Sequence, residues 1–191
     1  MIKTYVTFSD KEIDTLRNCI NKPFKKYRAD PIEQAPWVWE RVALYIDDKI
    51  YLLRNEIEAI EFFDFGLEDV SKLHFENVEE SEVHSGLVGV QQVDTNINDR
   101  IKRIYLINEK QTRFQNDVPV SEMYFTKGIV FETDLRQYSF MKEDWDFEVH
   151  IELDRGSNVI DKLLSNYEKE DREDMDTGCL YVTERTVEEI K

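Results

Sequence analysis

Short extended stretches with alternating polarity recur along this chain, and almost nothing of helical length lies between them. Phe147, Val149, Ile151 and Leu153 alternate with Glu148, His150 and Glu152, the period-two pattern of a strand with one buried and one open face. Residues 2–8, 38–46, 50–53, 73–78, 87–93, 101–107, 123–133, 138–141 and 179–182 read the same way, rich in Val, Ile, Thr and aromatic residues. Asp47-Asp48-Lys49 turns one pair into a hairpin and Asp134-Leu135-Arg136 another. Residues 57–65 are apolar but ambiguous between strand and helix. A regular alternation of strand and helix is missing, so a doubly wound parallel sheet is not expected.

Two segments carry helical spacing. Ser9 and Glu12 form a capping box ahead of Ile13, Leu16 and Ile20, with Pro23 beyond the helix end. Asn158 stands before Val159, Ile160, Leu163, Leu164 and Tyr167, which make one apolar stripe. The expected fold is therefore α+β, a predominantly antiparallel sheet, either a sandwich or a strongly curved sheet, with two peripheral helices. Residues 1–191 read as a single domain. Residues 21–36, punctuated by Pro23, Pro31 and Pro36, and the charge run at 168–177 read as loops or flexible segments.

A chain of 191 residues holding 23 aromatic side chains can bury a core without disulfides. Cys19 and Cys179 read as reduced, buried thiols. The N-terminus has no apolar signal core, and the longest apolar run, Val42 to Ile46, is far too short to span a bilayer. A cytoplasmic protein without membrane contact is expected.

The net charge is −16, which repels nucleic acid and favours basic partners. It is unevenly spread. Residues 22–28 and 100–113 each carry +4, the first with Phe24 and Tyr27 among Lys22, Lys25, Lys26 and Arg28. If the two islands met, they would make a local phosphate or single-strand patch; otherwise they pair with the acidic excess.

Catalytic signatures are scarce. Asp64-Phe65-Gly66 spells the magnesium triplet of protein kinases, but no glycine-rich loop or catalytic-loop motif accompanies it. Asp94 to Asn98 opens like a calcium loop, but Asp99 replaces the required Gly and Tyr105 the bidentate Glu, so a polar loop is expected there. No nucleophile elbow, zinc-protease helix or phosphate-binding loop is present. The best chemical candidate is the polar row Asp146, Glu148, His150 and Glu152, with side chains about 7 Å apart along a strand. Such a row either faces solvent or supplies a metal site or general base. His74 and His84, set among glutamates, contribute only if the fold gathers all three histidines.

Trp37, Trp39, Arg41 and Tyr45 share one face of a strand whose other face is Val38, Val42, Leu44 and Ile46. Either the strand is buried on both sides or the tryptophans anchor a partner. The leading expectation is a non-enzymatic protein-binding module, of the inhibitor or immunity type, that masks a basic partner through Trp37, Trp39, Lys25, Lys26 and Arg28. No cofactor and no resident metal are expected. The rival readings are an acidic mimic of nucleic acid that blocks a DNA-binding protein, and a metal-dependent hydrolase or nuclease using Glu148, His150 and Glu152.

Overall fold

The computed structural model describes residues 1–31, 37–142, 146–172 and 179–191. Among these, the elements follow in the order β1 (Ile2–Val6), α1 (Asp10–Arg17), β2 (Pro23–Ala29), β3 (Trp37–Trp39), β4 (Arg41–Ile46), β5 (Lys49–Glu61), β6 (Leu67–Val78), β7 (Val93–Gln115), β8 (Val118–Thr133), β9 (Gln137–Lys142), β10 (His150–Gly156), α2 (Val159–Ser165), β11 (Glu170–Arg172) and β12 (Cys179–Glu189). The fold is α+β and mostly antiparallel sheet. β1 departs from the antiparallel pattern by running parallel to β8.

The main path runs β3-β10-β9-β8-β7-β2-β4-β5-β6. β3 and β4 are one extended run, interrupted at Glu40, which takes the left-handed conformation with φ 58°. The Glu40 N–H donates to the Val149 carbonyl, and its own carbonyl accepts from the Asn55 N–H. β3 thus pairs with β10 while β4 pairs with β2, so the path curls back onto its own start as a barrel-like ring. Inside it, alternate residues meet in one core that includes Phe24, Tyr27, Val42, Leu44, Ile104, Phe131, Phe140 and Ile151. α1 adds Leu16 to that core, and the turn after it adds Cys19. Its capping box forms as read, with Ser9 and Glu12 satisfying each other's backbone donors.

The outer face of β7, β8 and β12 is covered in two places. α2 lays Ile160 and Leu163 against Ile107, Val130 and Met141. The tip of the β5–β6 hairpin folds Phe63 and Val70 onto Val6, Met123 and Phe125. There Asp64 accepts two hydrogen bonds from Arg113, at 2.6 and 2.9 Å, and the guanidinium lies 4.6 Å from the Phe65 ring centre. The kinase-like triplet is a clamp that holds a hairpin tip.

Several local expectations need correction. Pro23–Ala29, inside the expected 21–36 loop, is strand β2. Proline is tolerated as the first residue of a strand, and a bulge at Lys25 restores the inward alternation of Phe24, Tyr27 and Ala29. Residues 32–36 lie outside the described residues. Within the expected 168–177 loop, Glu170–Arg172 pairs with β12, and residues 173–178 lie outside the described set. The strand expected at 87–93 is irregular until Val93, whereas Asp94 to Asn98, expected as a loop, lies in β7. Asn158 makes no side-chain cap. Gln137 Oε1 instead accepts from the Val159 and Ile160 N–H groups at 2.9 and 3.3 Å. Among the described residues no helix is long and apolar enough to cross a membrane.

Candidate functional site: an aromatic and acidic patch on two paired strands

β3 and β10 pair with His150 opposite Trp39 and Glu152 opposite Trp37. Directly opposed residues share a face. Two candidates that lie about 110 residues apart in sequence, the tryptophan face and the histidine face, therefore form one patch. The His150 ring lies 4.1 Å from Trp37 (centroid to centroid, tilted 34°) and 4.8 Å from Trp39 in an edge-on contact. Glu148 Oε2 sits 2.8 Å from His150 Nδ1. Buried Asn55 donates to the Glu148 and His150 carbonyls at 3.0 and 3.2 Å, tying this edge to β5. Trp37 keeps 40% of its surface exposed, and Glu148 and Glu152 are exposed beside it.

On the far side, the segment after β6 leans on Trp39. A Cβ at Gly86 would stand 2.8 Å from Trp39 Cδ1, so only glycine permits this approach. Arg41, next along β4, contacts Glu40 at 3.1 Å and lies 3.4 Å from His84 Nε2.

The cations of the first basic island sit apart from the patch, on β2. Lys26 and Arg28 flank Tyr45, at 4.3 and 5.2 Å from its ring centre. Asp94 receives Lys26 at 2.5 Å and Arg28 at 2.6 Å, and Glu80 receives Arg28 at 2.6 Å. The Arg28 hydrogen bond, seconded by Lys26, holds the Asp94 carboxyl down at about 2. Lys25 pairs with Asp48 at 3.1 Å. The second island adjoins the first, since Arg100 lies opposite Pro23. Its cations are also engaged: Lys102 with Asp134, Arg103 with Glu132, Lys110 with Glu122 and Arg113 with Asp64.

Asp146 does not join the row it was read with. It is buried between Lys127 and Lys142, 3.1 Å from each Nζ. Strand β10 starts only at His150, and Asp146 lies in the preceding turn, so strand parity does not reach it. Lys127 is the extra residue of a bulge, with Ile107 opposite Gly128 and Asn108 opposite Thr126. Burial pushes Asp146 up, but the two lysines outweigh it and hold its carboxyl below the usual range. Burial lowers Lys142 to about 8. Buried Arg185 and Glu109 pair next to this cluster. Sequence reasoning missed these residues, although a lysine inside the apolar stretch from Phe125 to Phe131 is a visible signal.

His74 belongs to α1 docking, 3.3 Å from Glu12 and 2.9 Å from Glu58. Among the described residues no three His, Cys, Asp or Glu side chains are placed to hold a metal ion. Both cysteines are buried and neither is in a disulfide; Cys179 Sγ accepts from Arg113 at 3.3 Å, and burial pushes the Cys19 thiol up to about 12. No family model, curated protein or solved structure matches the chain.

Proposed function

We propose that this is a non-enzymatic binding module of the cytoplasm, of the inhibitor or immunity type, that seats a basic segment of a partner protein on the Trp37–His150–Trp39 patch. The observation that carries the reading is the exposed Trp37 ring on the same face as Glu152, with Glu148 nearby. A lysine or arginine over an indole face within about 6 Å gains cation–π attraction, and adjacent carboxylates add charge pairing. Indole side chains dominate binding hot spots. A net charge of −16 steers such a partner inward from a distance. Lys25, Lys26 and Arg28 then act as internal pairing partners on β2 and not as contacts for a basic ligand.

The test is a tryptophan-fluorescence titration with a lysine- and arginine-rich peptide and with a glutamate-rich peptide of equal length. The basic peptide is expected to quench and saturate, and Trp37→Ala to weaken it at least tenfold. Glu152→Gln is expected to slow association while leaving the folded signal intact. Equal affinity of Trp37→Ala and the parent protein for the basic peptide sinks the reading.

A further inference from the structure

The barrel-like ring ends, on the side of Ala29, Val93 and Gly156, in a cavity of about 360 Å³. Tyr27, Tyr138, Phe140 and Leu153 wall it, with Thr95 beside Tyr27 on the paired strand and Asp154 and Arg155 also lining it. Tyr138 and Phe140 belong to the inner core, so their register on β9 points into the ring. Across the β9–β10 pair, Leu153 stands opposite Phe140 and Arg155 opposite Tyr138. Arg155 therefore shares the inward register and stands at the rim, exposed, above two tyrosines. Asp154 takes the opposite register. Its carboxylate is bound by Lys162 at 2.6 Å and accepts the Arg155 backbone N–H at 2.7 Å.

In a chain with 41 acidic and 25 basic side chains, most arginines find a carboxylate. Among the described residues Arg155 has no ion-pair partner, and neither has Arg136, which lies one residue before Gln137 at the same end. Both guanidiniums are close enough to Tyr138 to oppose the upward push that burial gives its hydroxyl. The mouth thus combines an aromatic wall, a cavity of one-ring to two-ring size, and a rim where Arg155, without an ion-pair partner among the described residues, stands beside Asp154, whose charge Lys162 meets. Ligand sites on barrels favour such mouths, with apolar walls and a few convergent polar groups.

We propose that this mouth binds a small planar aromatic acid. The ring seats in the cavity against the packed Tyr27–Phe140 pair, Tyr138 and Leu153, and the anionic group pairs with Arg155, with Arg136 nearby. The anion is a carboxylate or a phosphate, since a guanidinium fork accepts either.

The experiment is saturation-transfer NMR, with calorimetry where heats allow. The probes are indole-3-carboxylate, phenyl phosphate, neutral indole-3-carboxamide and inorganic phosphate. Saturable binding of one aromatic anion is expected, at least tenfold tighter than the carboxamide and than inorganic phosphate. Arg155→Gln is expected to erase that preference while leaving carboxamide binding as it was. Leu153→Trp, which fills the cavity, is expected to abolish all aromatic binding, with folding checked by thermal melting. Preference for the carboxylate or for the phosphate ester assigns the anion. No saturation by either aromatic anion up to about 10 mM overturns the proposal. So does an Arg155→Gln protein that binds them as tightly as the parent, or inorganic phosphate that binds as well as the aromatic probes.

Discussion

The most consequential residue is one that local pattern misplaces. Alternation puts Asp146 on a solvated row with Glu148 and His150; the fold buries it between Lys127 and Lys142. Parity is a property of a continuous strand, and the strand begins four residues later. The partners of Asp146 also come from elsewhere: Lys127 is aimed by a bulge on β8, and Lys142 by the end of β9, where it donates to the Ser71 carbonyl at 2.7 Å. Lys142 lies only four residues before Asp146 and Lys127 19 before it, but local alternation does not show the bulge that aims Lys127. The cluster's energetic consequence is large, because removing the anion takes the nearest carboxylate from two buried ammonium groups, leaving Glu109 at 3.9 Å from Lys127 and the Ser71 carbonyl on Lys142. Asp146→Asn is expected to lower stability by about 3–5 kcal/mol in urea denaturation. Glu148→Gln, two residues on but exposed, is expected to change it by no more than about 0.5 kcal/mol. Equal losses in the two variants would show that the buried cluster contributes no more than the surface row.

At the level of elements, legibility follows the range of the interaction. The α1 cap is written within four residues and forms as read. β2 and the first residues of β7 are polar and proline-bearing, and become strands because they pair with each other and with β4. What docks α1 is again long-range. Glu12 Oε1 accepts the Phe75 N–H at 3.1 Å and faces His74, which also meets Glu58, while Lys72 opposes and Arg54 stands opposite in the β5–β6 pairing. Burial raises Glu12, but His74, Ser9 and Phe75 as donors outweigh it and hold the carboxyl at about 2. The Glu12 hydrogen bond leads in raising His74 above 6.5. A lowered acid contributes stability that is complete above its ordinary 4.5 and lost as pH falls toward about 2. A raised base contributes stability that is complete below 6.5 and lost as pH climbs through the folded value. Amide exchange in α1, corrected for intrinsic rates, is thus expected to be slowest near pH 5–6. His74→Gln is expected to flatten the alkaline side, and also to make the acid side shallower, because His74 is the leading donor that lowers Glu12. An unchanged alkaline slope in that variant refutes the docking role of His74.

For the whole molecule, composition announces the class of fold and the excess of acid, but not where the charge goes or how the sheet closes. Closure hinges on Glu40 in a left-handed conformation and on one strand, β7, long enough to serve β2, β8 and β12. The islands of positive charge are likewise visible in sequence, while their carboxylate partners come from turns and strands as distant as Asp94 for Lys26 and Glu184 for Lys110. Two electrostatic effects then compete as salt is added. Exposed ion pairs are each worth about 0–1 kcal/mol and weaken as screening shortens to about 10 Å at 0.1 M. Mutual repulsion among the surplus carboxylates weakens too. With 41 acids facing 25 bases, pairing every cation still leaves a net −16, and that surplus is spread over the whole surface. Repulsion is the larger of the two effects. Raising sodium chloride from about 20 to 300 mM is expected to stabilise the fold by about 1 kcal/mol, a rise in Tm of about 2–4 °C. Over the same range, association with a basic peptide at Trp37 is expected to slow, because steering depends on the unscreened field. The two salt slopes should therefore carry opposite signs on one protein. A Tm that falls with salt would show that the ion-pair network outweighs the repulsion.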